Sequence, residues 1–247
     1  MKFESLIFDI DGTLWDSRAL VAEGYNLQLR DEGLERYCVD AARLRPLFGK
    51  VMSAIADALF PDMPPQVRYP LMERCMAREN RYLEENECRI GYAGIAETLC
   101  TLSKTHRLFI VSNSQQGYPE LCIQKLGLGQ WIGGHLCFGD TGTGKGQTIR
   151  TLMNRYGITS CAYIGDTQAG RSLGSHLLRV IGKNSFCIKA SLRQTHAASA
   201  TDIYCRIYNH NFPLIIQQNF SAGACRLCST FPDGTERPEH YRVPRKQ

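Results

Sequence analysis

The fold of this chain is decided by one stretch near its start, which reads Leu6-Ile7-Phe8-Asp9-Ile10-Asp11-Gly12-Thr13-Leu14. The apolar run from Leu6 to Phe8 has the length and side-chain types of a buried strand, and a glycine follows directly after the two acids. Because side chains alternate along a strand, Asp9 and Asp11 should point the same way. Ligands bind at the carboxyl ends of strands in open parallel sheets, so the stretch predicts a central strand that carries two carboxylates to a binding crevice. A plain turn after a strand, or half of a calcium loop, is the open alternative.

Length and composition bound the class of protein. The chain has 247 residues, of which 43% are hydrophobic and 21% charged, enough for one large core or a core with a small accessory domain. No apolar run is long enough to span a membrane, and no signal-like stretch precedes Asp9, so we expect a cytoplasmic protein with no membrane partner. Most of the eleven cysteines are scattered singly through apolar patterns, as expected of reduced thiols.

The positive charge is concentrated at the end of the chain. Residues 171–247 carry a net charge of +7, whereas residues 1–170 carry −2. A basic tail can bind nucleic acid or anionic lipid, but few aromatic residues are interleaved here and no nucleic-acid motif is present, so we expect no nucleic-acid partner. Cys225 and Cys228, with His240 nearby, make up half of a zinc-site pattern at best.

Apolar residues at helical spacing predict several helices between residues 16 and about 87. Val21, Tyr25 and Leu29, for example, fall on one face. Gly49 and a group of prolines separate one helix from the next. No strand-like alternation interrupts the segment, which therefore reads as a helical insert after the first strand. Simple packing of these helices against the sheet is the alternative.

Three more strand-like runs each lead into polar residues. The runs and their polar residues are Leu108–Val111 with Ser112 and Asn113, Leu136–Phe138 with Lys145, and Cys161–Ile164 with Asp166. A helix is predicted from about Gln147 to Tyr156. If the runs are parallel neighbours of the first strand, their polar residues meet at one edge of the sheet.

These segments resemble the four motifs of the haloacid dehalogenase superfamily, which consists mostly of magnesium-dependent phosphatases. The matching strings are Phe-Asp-Ile-Asp-Gly-Thr-Leu, Phe-Ile-Val-Ser-Asn-Ser, the single Lys145, and Tyr-Ile-Gly-Asp-Thr. The helical insert, and Phe-Gly-Asp-Thr before the lysine, make the phosphoglycolate-phosphatase-like branch the most similar. The resemblance implies an α/β fold, a doubly wound parallel sheet carrying a helical cap. Residues 1–15 and 90–220 would form the core, with a hinge at Gly91–Gly94, residues 16–89 the cap, and residues 221–247 an atypical basic tail with little order.

The resemblance also implies a role for each polar residue at the strand ends. A small phosphorylated metabolite would be the substrate and Mg²⁺ the cofactor, while the oligomeric state stays open. The implied roles are Asp9 as nucleophile, Asp11 as general acid and base, Ser112 and Lys145 as stabilisers of the phosphoryl oxygens, Gly12, Thr13 and Asn113 as substrate-binding residues, and Asp9, Asp11 and Asp166 as metal ligands. A small hydroxyl such as Ser112 can donate to a phosphoryl oxygen without filling its space. Lys145 would neutralise Asp9 against its neighbouring acid and the incoming phosphate.

A second interpretation competes for the glycine-rich loop before Lys145. Gly139 to Lys145 matches the P-loop pattern Gly-x-x-x-x-Gly-Lys, which predicts nucleotide binding. The next residue is Gly146, where a P-loop needs Ser or Thr to hold magnesium. The phosphatase interpretation is favoured because it explains Asp9, Ser112 and Lys145 together.

The resemblance stops shortly after Asp166. The family normally has a second acid four residues later, where this chain has Gly170. One inserted G after codon 169 turns a family-like Ala-Asp-Glu-Ala-Leu-Glu-Ala into Ala-Gly-Arg-Ser-Leu-Gly-Ser, the sequence of residues 169–175, so we hypothesise a shift of reading frame near Ala169. A diverged tail is the alternative. A catalytically weakened or inactive remnant of the fold is the second functional hypothesis.

Overall fold

The computed structural model describes residues 3–87 and 90–165 and, beyond them, only the backbone of five strands. The strands are β1 (Ser5–Phe8), β2 (Arg107–Ser112), β3 (Ile132–Cys137), β4 (Cys161–Gly165), β5 (Phe186–Gln194), β6 (Thr201–Tyr208), β7 (Pro213–Asn219), β8 (Cys228–Thr230) and β9 (Glu236–Pro238). The first seven form a sheet in the order β3-β2-β1-β4-β5-β6-β7, and β8 pairs with β9.

The strands β1 to β5 run parallel, with β1 between β2 and β4. The chain thus winds from β1 first to one side of the sheet and then to the other, which confirms the predicted doubly wound α/β fold. The strands β6 and β7 continue the sheet antiparallel. The strand β7 contains Pro213–Ile216, which follow Phe212 in one apolar run of the sequence.

Eight α-helices lie within the described residues. They are α1 (Arg18–Asp31), α2 (Ala41–Leu44), α3 (Met52–Leu59), α4 (Pro65–Glu85), α5 (Ile95–Ser103), α6 (Tyr118–Leu126), α7 (Phe138–Thr141) and α8 (Lys145–Tyr156), with a short 3-10 helix at Glu35–Tyr37. None of the helices in this part of the chain is long and apolar enough to cross a membrane.

Helices cover both faces of the sheet, and the alternating side chains of β1 pack against the helices on each face in turn. Leu6 and Phe8 belong to a large apolar cluster with residues of α1 to α6, whereas Ile7 packs with Ile149 and Leu152 of α8. Asp9 directly follows the carboxyl end of β1, where side chains from both helical layers can reach it.

The predicted helical insert consists of α1 to α4 and joins the rest of the chain through two neighbouring segments. The amide of Asp16 donates to the Ile90 carbonyl (2.9 Å), and that of Tyr92 donates to the Leu14 carbonyl (3.1 Å). The predicted hinge, Gly91–Gly94, begins at this crossing. The division into a core and a cap stays a prediction.

A glycine sets the distance between α1 and α4. A Cβ atom on Gly24 would lie only 2.8 Å from the Cα atom of Glu79, closer than real Cβ contacts allow. The two helices can therefore touch only because position 24 has no side chain.

The structure corrects three predicted boundaries. The strand predicted at Leu136–Phe138 begins at Ile132 and ends at Cys137, and Phe138 starts α7. The helix predicted from Gln147 begins at Lys145. The sequence analysis did not predict α6. The predictions for Asp166, Gly170, Cys225 and His240, as well as the side chain of Cys228, lie outside the described residues.

Candidate active site

The centre of the site is a buried ion pair between Asp9 and Lys145. The Lys145 Nζ donates to Asp9 Oδ2 at 2.7 Å, and the Asp9 and Lys145 side chains are 4% and 3% exposed. Asp9 follows β1 and accepts a second hydrogen bond from the Ile10 amide at its Oδ1 (3.0 Å). The Lys145 ammonium also lies 5.5 Å from the centre of the Tyr163 ring, within cation–π range. Removing either partner would leave an uncompensated charge in the interior.

Asp11 lies beside this pair in a cage of hydrogen-bond donors. Its Oδ1 accepts from Trp15 Nε1 (3.0 Å), Ser17 Oγ (3.0 Å) and the Tyr118 hydroxyl (2.7 Å). Burial and, less strongly, the nearby charge of Asp9 raise the pKa of the Asp11 carboxyl to about 6, although the hydrogen bonds from Tyr118, Ser17 and Trp15 lower it. With three donors on Oδ1, the other oxygen, Oδ2, is left to carry a proton.

Ser112 and Asn113 stand at the end of β2. The Ser112 Oγ accepts a hydrogen bond from the Ser114 amide (3.2 Å), which leaves the Ser112 hydroxyl proton for another acceptor. The Asn113 Nδ2 donates to the Gly49 carbonyl (2.7 Å). Asn113 therefore ties the loop after β2 to the loop between α2 and α3.

Gly12 and Thr13 do not reach the cavity at this site. The Gly12 amide donates to the Trp15 carbonyl (2.9 Å) and the Thr13 amide to the Ile10 carbonyl (3.1 Å), so both amides are used within the loop. Gly12 has a φ of 73°, which suits glycine. The buried Thr13 hydroxyl has no hydrogen-bond partner among the described residues.

The geometry around Lys145 disagrees with a P-loop. The Lys145 ammonium is buried against Asp9 rather than exposed to a bound nucleotide. Gly139, which opens the P-loop pattern, lies within the short helix α7, and a Cβ atom there would be 2.3 Å from the Gln116 amide nitrogen. Close packing against the loop after β2 therefore explains this glycine.

A cavity of about 390 Å³, including the part that opens to solvent, lies over the two acids. Asp9, Asp11, Ser112 and Asn113 line it from the sheet side. Helices α1, α3 and α4 and the loop before α3 provide much of the remaining wall, and the residues they contribute are Val21, Tyr25, Phe48, Gly49, Lys50, Met52, Ile55 and Glu79.

Several residues of the site escaped the sequence analysis. Trp15 and Ser17 lie only four and six residues after Asp11, and this short separation in the sequence could have indicated that they hydrogen-bond to it. Tyr118 and Glu79 carried no such signal, since they reach the site only through the packing of α6 and α4. Glu79 is 3% exposed, and burial raises its pKa to about 8, with a contribution from the charge of Asp11.

The described residues fit part of a magnesium site. Magnesium prefers hard oxygen ligands, which the Asp9 carboxylate and the backbone carbonyl of Asp11 would supply at one edge of the sheet. Within residues 3–87 and 90–165, no three His, Cys, Asp or Glu side chains group as metal ligands. The third predicted ligand, Asp166, lies outside the described residues, although the preceding Gly165 lies against Asp9, since a Cβ atom on it would be 3.3 Å from the Asp9 Cβ.

Fold and site together define an α/β enzyme with an acid–lysine pair at the carboxyl ends of parallel strands. The chain belongs to the haloacid dehalogenase-like hydrolase family, whose model matches residues 6–176. This confirms the family and the class of enzyme that the four motifs predicted.

Known relatives and structures agree with this family. The phosphoglycolate phosphatases of two Xanthomonas campestris pv. campestris strains are each 28% identical over an alignment of 180 positions that covers 68% of this chain and 77% of theirs. A predicted phosphatase from Clostridium acetobutylicum has a TM-score of 0.59 at 15% identity and covers 76% of this chain and 94% of its own. A predicted phosphoglycolate phosphatase from Haemophilus somnus 129PT has a TM-score of 0.56 at 20% identity, over 67% of this chain and 78% of its own. At these identities the two structures support the fold alone.

Proposed function

We propose that this protein is a magnesium-dependent phosphatase that hydrolyses a small phosphate monoester through an aspartyl-phosphate intermediate. The observation that carries the proposal is the 2.7 Å contact between Lys145 and Asp9, buried beside the caged acid Asp11. A carboxylate held next to a fixed cation and a proton donor is the arrangement that nucleophilic phosphoryl transfer needs.

The first step forms a bond between Asp9 and phosphorus. An oxygen of the Asp9 carboxylate attacks in line, and the bond from phosphorus to the leaving oxygen breaks. Asp11 gives its proton to that oxygen, which departs as an alcohol. The Lys145 ammonium and the Ser112 hydroxyl offset the charge that is spread over the phosphoryl oxygens.

The second step regenerates the enzyme. Asp11, now ionised, removes a proton from a water molecule whose oxygen attacks the same phosphorus. The bond to Asp9 breaks, inorganic phosphate is released, and Asp11 again holds a proton. The Asp11 pKa of about 6 suits a group that must both give and take a proton near neutral pH.

Asp9 and Asp11, together with Asp166, would hold magnesium at this edge of the sheet. When bound, the metal ion would add positive charge beside the phosphoryl oxygens.

The cavity supports a small phosphorylated metabolite as substrate. Residues 16–89 would act as a cap that covers it, since α1, α3 and α4 supply part of the wall. The curated relatives are phosphoglycolate phosphatases by name, so phosphoglycolate is one of the small esters to assay. A cytoplasmic location agrees with such a substrate.

The proposal is tested with 4-nitrophenyl phosphate as a generic substrate, in magnesium and in excess chelator. We expect turnover that needs the metal, and we expect Asp9→Asn to reduce it to background. Lys104→Met is a control, because this lysine is exposed and does not line the cavity. Undiminished turnover by Asp9→Asn would remove Asp9 from the role of nucleophile.

A further inference from the structure

Glu79 is a buried acid over the active site that the proposed chemistry does not use. It lies on α4 and lines the same cavity as Asp9 and Asp11. The backbone of Glu79 packs closely against Gly24 of α1, and this contact fixes where this part of α4 lies. A carboxyl group with 3% exposure is rare without a paired cation, since its burial costs free energy unless it is hydrogen-bonded or neutral.

One oxygen of this carboxyl is uncommitted. The Oε2 atom has no hydrogen-bond partner among the described residues. The side chains of Gln115 and Tyr25 hydrogen-bond to the carboxyl and lower its pKa, but burial and the charge of Asp11 outweigh them. The group is therefore held largely neutral at pH 7, in a residue that lines the cavity and has one unpaired, buried oxygen.

The surroundings indicate which chemical group would satisfy that oxygen. Tyr25 and Gln115 are neutral hydrogen-bonding groups, and much of the nearby wall is apolar. The apolar side chains are Val21, Phe48, Met52 and Ile55. An ammonium on the ligand could pair only with the ionised form of Glu79, and a carboxylate would bring a further negative charge close to Asp9 and Asp11. A hydroxyl group both donates and accepts, so it can pair with either form.

We infer that Glu79 is a specificity-determining residue that hydrogen-bonds a hydroxyl group on the alcohol portion of the phosphate ester. The preferred substrates are then short phosphate esters with a hydroxylated carbon chain. The inference rests on the proposed phosphatase function, because it concerns the same cavity. The apolar wall contacts the carbon chain, while Glu79 with Tyr25 and Gln115 selects for the hydroxyl.

The test compares kcat/KM for glycerol 3-phosphate with that for n-propyl phosphate, which has the same carbon chain without hydroxyl groups. We expect the unmodified protein to prefer glycerol 3-phosphate by about ten-fold or more, because an analogue without the hydroxyl leaves a buried polar group unpaired. Glu79→Met keeps the length of the side chain but removes both oxygens, and we expect the ratio to fall to near one. Glu79→Gln can still donate and accept, so it should keep the preference.

A matched control uses the same helix. Glu73 is exposed on α4, and Glu73→Leu should leave the ratio unchanged. A ratio near one in the unmodified protein overturns the inference, whether or not Glu79→Met folds. An unchanged ratio in a folded Glu79→Met, or loss of the preference in Glu79→Gln, overturns it as well. If none of these esters nor 4-nitrophenyl phosphate is hydrolysed, the proposed function itself has failed.

Discussion

The ion pair between Asp9 and Lys145 should govern stability as well as catalysis. Lys145→Met would leave the Asp9 carboxylate, now 4% exposed, without its counter-charge. Breaking one side of a buried pair costs about 3–5 kcal/mol, and we expect a loss of unfolding free energy in this range. Asp9→Asn should also destabilise, because it leaves the ammonium buried. The double variant Asp9→Asn/Lys145→Met removes both charges, so its loss should be smaller than the sum of the two single losses by about 2 kcal/mol or more.

The assay is urea unfolding of the four proteins in metal-free buffer, followed by far-UV circular dichroism and by tryptophan fluorescence. Lys104→Met controls for the loss of a lysine at an exposed position and should change the unfolding free energy by less than about 0.5 kcal/mol. In the same set of proteins, Lys145→Met should lower kcat for 4-nitrophenyl phosphate by about 10²–10³-fold, as removal of one charge-stabilising donor does elsewhere. Additive losses in the double variant, within about 0.5 kcal/mol, would refute the coupling of the two side chains.

Three further predictions follow from other parts of the site. Asp11→Asn should reduce kcat by about 10²-fold or more for n-propyl phosphate, whose leaving oxygen needs a proton, and far less for 4-nitrophenyl phosphate; equal losses would contradict the role of Asp11 as acid. The raised pKa of Glu79 means that the folded protein binds a proton more tightly than the unfolded chain, so unfolding free energy should fall as pH rises from about 4.5 to about 8. Glu79→Gln lacks this proton, so in metal-free buffer its stability relative to the unmodified protein should rise across that range by up to a few kcal/mol, since each pKa unit is worth about 1.4 kcal/mol, and a flat difference would contradict the burial argument. Gly24→Val should destabilise by about 1–3 kcal/mol in urea unfolding because its side chain would collide with α4, and no change would show that the helices can separate there.

The strands that hold the site were predictable because their signal is local. Short apolar runs that end in polar and glycine residues marked β1, β2 and β4, and no distant contact was needed to recognise them. The start of β3 was missed because its sequence, Ile132-Gly133-Gly134-His135, contains two glycines, which weaken a strand pattern. The structure explains the second one, since a Cβ atom on Gly134 would lie 2.2 Å from the Tyr156 hydroxyl.

Helix α6 was missed for a related reason. It is nine residues long, with Pro119 in its first turn between Gly117 and Gly127, and both glycines have positive φ angles. In the sequence these residues look like turns, although proline is well tolerated at the start of a helix and glycine at its end. The burial of Tyr118 and Cys122, which anchors the helix, becomes visible only in three dimensions.

The motif residues could be predicted, but their environment could not. The sequence indicated Asp9, Asp11, Ser112, Asn113 and Lys145, and the structure brings all five to one edge of the sheet. Their partners come from distant segments, and the pattern of charges does not reveal them. The run Arg-Glu-Asn-Arg around position 79 is typical of an exposed helix face, yet the packing of α4 against a glycine buries its glutamate.

The central claim is that Asp9 carries the phosphoryl group during turnover. The most direct measurement mixes the enzyme rapidly with magnesium and 4-nitrophenyl phosphate, quenches it in acid, and locates any added phosphoryl group by peptide mass spectrometry. The account predicts one phosphoryl group on the peptide that contains Asp9 in the unmodified protein, and none in Asp9→Asn. A phosphoryl group on another residue, or full turnover by Asp9→Asn, would contradict it.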